Sequence, residues 1–345
     1  MFSGKPGQQN PADPNAPRIE NIVDERFVGL RSMVTAPAGG GKAPLDETVG
    51  LIAEANIMLT AADSALKGGS APPPSPVPTR LKAAAAMSPE PLRTMLDDLG
   101  SSSARVSQGA MRQNLGMEVR SQVGEFCNQA VAGRYPLDRN SSRDATQADF
   151  AMLFGPGGKI DQLFQQKLAP YVDTTTRPWK FRAVEGTPLG GDSGTLPQFQ
   201  RAQAIKETFF PGSNTPSLRL DFKPIEMDTT IQQFILDVDG QIVRYSHGPQ
   251  IPTSVQWPGP RGSSQVRVQL SPVSASGSSG LVNDGPWALF RLFDRVKIEK
   301  TNAPERFKAT FEIEGRKAVF EVTASSVRNP FRLPELNEFR CPGGL

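Results

Sequence analysis

At 345 residues the chain is long enough for two or three domains, and one compact core is not expected. Its 38 Lys and Arg against 35 Asp and Glu leave a formal net charge of +3 with both signs interspersed, which excludes the clustered basic stripe that nucleic acid demands. Two cysteines, Cys127 and Cys341, and a single histidine exclude a metal cluster and a disulfide-dense scaffold. One bridge between the two cysteines stays open but unforced, the alternative being two small buried apolar side chains.

The start, MFSGKPGQQNPADPNAPR, has no basic segment followed by an apolar one and so does not read as a secretory signal. Next, IENIVDERFVGLRSMV sets Ile19, Ile22, Val23, Phe27, Leu30 and Val34 on one face, the pattern of an amphipathic helix. A second helix is expected after Pro44, with Asp46 and Glu47 in its first turn and a stripe of Leu45, Val49, Ile52, Leu59 and Leu66. It contains the most apolar stretch, from Leu51, but Glu54 and Asp63 break that stretch short of the roughly 18 apolar residues a transmembrane helix needs. By these features alone the chain reads as a cytosolic protein or a piece cut from a longer one.

GGSAPPPSPVP then reads as an extended linker, since clustered Gly and Pro do not continue a helix. Beyond it, Ser88 is expected to cap SPEPLRTMLDDL, and a longer helix carries Val106, Leu115, Val119, Val123 and Phe126. The bundle pattern continues with Ile160, Leu163, Phe164 and Leu168 on one face and Phe199, Ala202, Ile205 and Phe209 on another, until Pro211-Gly212 closes it.

From residue 217 the period changes to two: Leu218, Leu220 and Phe222 alternate with Arg219, Asp221 and Lys223. Asp239-Gly240 and Glu314-Gly315 each separate two strand runs and predict hairpins, and the short strands sum to a sandwich. Within them VNDGPWALFRLFDRV is helical, with Asp284 as cap, Pro286 in the first turn, and Trp287, Phe290, Phe293 and Val296 on one face. It is expected to cross over and cover an open end of the sandwich.

The predicted fold is therefore α+β and multidomain: an N-terminal all-α helical bundle or stem, then a C-terminal antiparallel β-sandwich with one crossover helix. The expected boundaries are a helical stem at 1–70, a Pro-rich linker at 71–79, an α-helical domain at 80–212, and a β-sandwich domain with a C-terminal tail at 213–345.

A search for chemistry yields no catalytic centre. TAPAGGGKAP has Ala36 and Ala43 where a phosphate loop needs Gly and Ser or Thr. Glycines precede a helix in LFGPGGKIDQLF, but without a preceding apolar strand they read as a sharp turn between helices. Any nucleophilic triad would have to use His247, which lies in the loop sequence RYSHGPQIP. The carboxylate pairs Asp97-Asp98 and Asp237 with Asp239 fall on a helix surface and beside a hairpin turn. Tyr245 and Trp257 would form an aromatic platform if exposed, whereas the plainer reading puts Trp257 in the sandwich core.

An ordered set of segments resembles the C-terminal periplasmic region of the IcmF/TssM family, the inner-membrane scaffold of type VI secretion systems. The matching residues are GRYPL from Gly133, DFAMLFGPGGKIDQLF from Asp149, FQRAQAIKETFF from Phe199, DGQIVRYSHGP from Asp239, QWPGP from Gln256, DGPWALFRLFD from Asp284, and NPF and LNEFRCPGGL at the end. They cover most of residues 80–345, and the earlier helices fit the family's periplasmic stem more loosely. The family's transmembrane helices and cytoplasmic domain have no counterpart here, so the chain resembles an excised C-terminal fragment.

The resemblance implies a non-enzymatic scaffold without cofactor, in the periplasmic portion of an inner-membrane-anchored protein. The implied partners are a TssJ-like outer-membrane lipoprotein held by the β-domain, a TssL-like inner-membrane protein reached through the missing N-terminal part, and further copies in a ring-like complex. Partner contacts are expected from the YSHGPQ and QWPGPRGSS loops, with Tyr245, His247, Gln250, Trp257 and Arg261, and from the tail, with Arg328, Phe331, Arg332 and Phe339. The alternative for the tail is that Phe331, Leu336 and Phe339 dock on the protein's own surface. Because the periplasm oxidises thiols, a Cys127–Cys341 bridge would tie the tail to the helical half. An envelope glycan or peptidoglycan binder is the alternative function, and a hydrolase built on His247 a further one.

Overall fold

The computed structural model describes residues 19–37, 40–70, 72–184, 187–188, 194–262, 264–273 and 280–345. The N-terminal segment 1–18, two residues of the TAPAGGGKAP loop, Ala71 of the Pro-rich stretch and Ser263 of the QWPGPRGSS loop lie outside the described residues, as do the side chains of Ile19, Ile22 and Val23. The chain divides into two compact units, Met1–Asn114 with Val184–Leu189, and Leu115–Ala183 with Gly190–Leu345.

The first unit contains helices α1 (Ile19–Val34), α2 (Pro44–Lys67), α3 (Val77–Met87) and most of α4 (Leu92–Glu118). Its core joins Leu51, Ala55 and Met58 of α2 to Val77, Leu81 and Ala85 of α3 and Leu96 of α4. The α2 face that packs is therefore not the expected stripe: Thr48, Leu51, Ala55, Met58 and Ala62 are buried, while Val49 and Ile52 are 58% and 41% exposed. Leu59 of the stripe reaches the edge of this core. Small Ala55 and Ala85 let α2 and α3 approach closely, and that proximity outweighs the larger side chains on the neighbouring face.

By length and composition alone α2 would also suit a membrane span, yet its Glu54 pairs with Arg80 of α3. Helix α3 begins inside the Pro-rich stretch, where Pro78 occupies the first turn at no hydrogen-bonding cost. Ser88 does not cap the next helix: it follows α3, and its hydroxyl donates back to the Ala84 carbonyl at 2.8 Å.

In the second unit the last residues of α4 run through a π-helical turn, Val119–Gly124, into α5 (Glu125–Ala130). Helix α6 (Gln147–Phe154) is capped by the Thr146 hydroxyl, which accepts from the Asp149 N–H at 3.0 Å. Helix α7 (Lys159–Leu163) and two short turns of helix lead to a two-residue ladder of β1 (Val172–Asp173) with β2 (Lys180–Phe181). Two further short strands follow in sequence, β3 (Ala183–Val184) and β4 (Thr187–Pro188), which apart from Ala183 count with the first unit, and α8 (Thr195–Phe209) then completes the helical part of the second. The glycines before α7 serve the chain itself: the Asp161 carboxylate accepts the Gly157 N–H at 2.9 Å and pairs with Lys206 at 2.7 Å.

The β part consists of β5 (Leu218–Met227), β6 (Gln233–Val238), β7 (Gln241–Tyr245), β8 (Thr253–Trp257), β9 (Gln265–Ser271), β10 (Gly280–Asp284), β11 (Lys297–Lys300), β12 (Arg306–Ile313) and β13 (Arg316–Ala324). They form two antiparallel sheets, in the orders β10-β9-β6-β7 and β11-β12-β13-β5-β8. Their inner faces meet at Phe234, whose ring lies 5.2 Å from Phe311 and 4.6 Å from Phe320. Asp239-Gly240 and Glu314-Gly315 turn as expected, all four residues with positive φ, the conformation that matches the twist of a tight hairpin.

Helix α9 (Ala288–Arg295) stands between β10 and β11. Asp284 does not cap it, because its carboxylate accepts from the Gln265 side chain at 2.8 Å at the end of β10; Gly285, with φ +99°, turns the chain instead. The expected aromatic face is buried, but so are Leu289 and Leu292, because α9 is covered from more than one side. Trp287 meets Phe150 of α6 at 5.0 Å and donates its indole N–H to the Ala145 carbonyl at 2.7 Å. Phe290 stacks on Phe209 of α8 at 5.6 Å and touches Trp257 of β8 at 4.9 Å. The helix is thus the joint between the helical and β parts of this unit as well as a cover for the sandwich.

Candidate partner-binding surfaces

The two loops expected to bind partners flank β8 and therefore lie at opposite ends of the β part. Residues 246–252 form the end remote from α9. There His247, with φ +56°, places its Nε2 2.6 Å from the Ile231 carbonyl, and the exposed Gln250 side chain donates to the Ile225 carbonyl at 2.8 Å. Tyr245 is partly buried, its ring 6.5 Å from Phe320, while Ile251 beside these residues is 68% exposed. The loop that follows β8 lies at the other end, where exposed Arg261 donates its backbone N–H to the buried Asp239 carboxylate at 3.1 Å.

Burial takes Trp257, Phe331 and Phe339 away from the surface on which contact residues are expected. Trp257 is 4% exposed and donates its indole N–H to the Pro286 carbonyl at 3.2 Å, so the aromatic platform with Tyr245 is not formed. Phe331 is buried and stacks on Phe293 at 3.9 Å. Phe339 is buried too and packs edge-on against Phe154 of α6 at 4.9 Å. These rings gain more from the protein's own apolar core than an exposed position would return.

The tail, with a short helix α10 (Pro334–Glu338), is fastened along its length. Cys341 is disulfide-bonded to Cys127 of α5, with Cα atoms 5.6 Å apart. The Arg340 N–H donates to the Gln198 side chain at 2.8 Å, and the Thr195 hydroxyl donates to the Gly344 carbonyl. A Cβ at Gly124 would stand 2.5 Å from the Pro342 carbonyl oxygen, so that glycine makes room for the strap.

A charged cluster, of which the sequence singles out only Arg332, joins the loop after α5, helix α9 and the tail. Arg139 pairs with Asp294, donates to the Phe331 carbonyl at 2.7 Å and to the Asn337 side chain at 3.0 Å. Arg332 stands 3.6 Å from the same aspartate. Arg291 pairs with Asp144 and lies 4.0 Å over the Tyr135 ring. Burial first, then the hydrogen bond to Asp294, raises the Tyr135 pKa above the usual phenol range. Apart from Arg332, these residues carry no composition or spacing signal of their own. The available signal is the family resemblance of GRYPL, which contains Tyr135, and of DGPWALFRLFD, which contains Arg291 and Asp294.

Arg328 is exposed and pairs with Glu335 at 2.6 Å. With Arg332, Lys300 and Arg306 it surrounds a cavity of about 300 Å³ above Phe307 and Leu333.

Residues 220–326, which include α9 and most of both sheets, match the family model described as the type VI secretion protein IcmF C2-like domain. The chain is 37% identical over 329 residues to the type VI secretion system component TssM1 of Pseudomonas aeruginosa, a match covering 94% of this chain and 30% of that protein. The chain belongs to the IcmF/TssM family, as part of its C-terminal region.

The fold agrees with three solved structures. The TssM C-terminal domain from EAEC superposes with a TM-score of 0.59 at 19% identity, over 68% of this chain and 98% of that one. A chain of a type VI secretion system membrane core complex gives 0.64 at 17% identity, over 98% of this chain and 68% of that one. A third, from a type VI membrane complex, gives 0.62 at 17%, over 96% and 63%. The present chain thus spans 30% of the length of its curated IcmF/TssM relative.

Proposed function

We propose that the chain is a non-enzymatic scaffold of the type VI secretion membrane complex, from the periplasmic portion of an inner-membrane-anchored protein. It links that anchor to a TssJ-like outer-membrane lipoprotein through the β part, while a TssL-like protein joins at the inner membrane and further copies assemble alongside. The relatedness to TssM1 supports the system, and the way the second unit is fastened supports the mechanical role. Helices, sheets and tail share the rings of Phe150, Phe209, Trp257, Trp287, Phe290 and Phe331, and a disulfide closes the chain over 214 residues. Load entering the sandwich is passed to the helices through packed side chains rather than through a flexible linker.

The 246–252 loop is the best seat for the lipoprotein. It is the end of the sandwich left free by α9, and Tyr245, His247, Gln250 and Ile251 gather there. Burial of Trp257 leaves the glycan-binding alternative without its platform, and the His247 ring is engaged by a backbone carbonyl. The test is titration calorimetry of the soluble domain of the cognate TssJ-like lipoprotein against the whole chain and its Ile251→Asp variant. Saturable binding weakened at least ten-fold by the substitution is expected; no binding to the unaltered chain would remove the lipoprotein link.

A further inference from the structure

At the opposite end of the sandwich from the 246–252 loop, the start of β12 and the tail enclose the cavity of about 300 Å³ introduced above. Four cations line it, Lys300, Arg306, Arg328 and Arg332, against one carboxylate, Glu335. Only part of that charge is neutralised. Arg328 is held by Glu335, and Arg332 stands 3.6 Å from Asp294, which it shares with Arg139. Lys300 and Arg306 are exposed and, among the described residues, neither side chain has an ion-pair partner. The apolar lining is the exposed Pro304 and Pro334 above Phe307 and Leu333, which are buried in the fold and so fixed in position.

We propose that this basic pocket with an apolar lining seats an acidic segment of a protein partner. One or two carboxylates reach Lys300 and Arg306 while an adjacent apolar side chain lies against the two prolines. A peptide supplies both chemistries within a few residues, and the volume fits one or two side chains. A membrane surface calls for a flat or convex basic face, and nucleic acid for an extended one; a walled cavity is neither. This second partner sits at the other end of the sandwich from the lipoprotein and does not depend on that link. Opposite charge in a concave, partly desolvated site steers encounter and fixes register more than it raises affinity.

Fluorescence anisotropy of the whole chain would use a labelled acidic peptide alternating Glu with Leu and Phe, beside a control with every Glu replaced by Gln. Saturable binding of the acidic peptide alone is expected, weakened at least ten-fold by Lys300→Glu with Arg306→Glu and unaffected by Ile251→Asp. Because the reversed residues are exposed and without an ion-pair partner among the described residues, melting should not change. Lys300→Gln with Arg306→Gln gives a milder second variant with an intermediate loss. Failure of the acidic peptide to bind, or equal affinity in the reversed variant, overturns the proposal. So does charge-sensitive binding of phosphatidylglycerol vesicles without peptide binding, which would make this an anionic-surface site. Lipoprotein titration is read separately, so either partner can fail while the other stands.

Discussion

Tyr135 donates its hydroxyl to the carboxylate of Asp294 at 2.7 Å, across 159 residues of chain, and so binds the loop after α5 to helix α9. Asp294 also faces Arg139 and Arg332, with its side chain only about a quarter exposed. One carboxylate therefore balances two guanidinium groups and a phenol. Replacing Asp294 with Ala leaves the Tyr135 hydroxyl without its acceptor and the two partly desolvated guanidinium groups without their counter-charge, and we expect a loss of about 2–4 kcal/mol in urea unfolding. A paired variant isolates the effect: if Arg139→Met combined with Asp294→Leu is no more stable than Asp294→Ala, uncompensated charge is not the cause.

The same bond gives an alkaline signature. The Tyr135 pKa is raised in the folded protein, first by burial and then by the Asp294 hydrogen bond. A raised pKa means that the stabilisation is fully present below the unfolded phenol value, about pH 10, and is lost as pH climbs toward the folded value. Unfolding free energy should fall above about pH 10 and fall less steeply in Tyr135→Phe, which itself costs about 1 kcal/mol at neutral pH. Parallel pH profiles for the two proteins would show that Tyr135 is not the titrating group.

Asp161 works in the opposite direction. Burial pushes its pKa up, but the combined pull of the Lys206 pair and the Gly157 N–H brings it below the usual carboxylate value. A lowered pKa contributes stability above the unfolded carboxylate range, and that contribution disappears as pH falls through the folded value. Solvent reaches part of this pair and screens it, so Asp161→Asn should lose only about 1 kcal/mol at pH 7 and little below about pH 3, measured by denaturant midpoints. A loss that persists unchanged into acid would assign the effect to packing.

What is legible ahead of the structure depends on whether the deciding interaction is local. Leu218, Leu220 and Phe222 carry their strand pattern within five residues, and Asp239-Gly240 sets its own turn, so both can be read from the sequence. The packed face of α2 cannot, since Ala55 is selected by the approach of α3 rather than by its own size. The two candidate loops stand close together in the sequence, yet a single strand, β8, separates them, and an extended strand sends its two ends in opposite directions. Phe331 and Phe339 are ambiguous in sequence because their partners, Phe293 and Phe154, lie elsewhere in the chain. The segments that carry the family resemblance prove to touch one another: Tyr135 with Asp294, Phe150 with Trp287, Phe154 with Phe339. Their shared chemistry is the joint between helices and sheets, which explains why they point to a family without pointing to an active site.

The disulfide offers the last test of that joint. Cys127 and Cys341 are 214 residues apart, so cross-linking them removes a large part of the unfolded chain's conformational freedom. Reduction, or Cys127→Ser with Cys341→Ser, should lower stability by about 2–5 kcal/mol. The release should be local at first, because Arg340 and Pro342 depend on the strap for their places against Gln198 and Gly124. Trypsin cleavage after Arg340 is the direct measurement, and we expect it to accelerate in the reduced protein while the sandwich, held by Phe234, Phe311 and Phe320, stays resistant. Equal cleavage rates with and without the bridge would mean that Phe339 and the Thr195–Gly344 hydrogen bond are sufficient to hold the tail, leaving the disulfide to act on the unfolded chain alone.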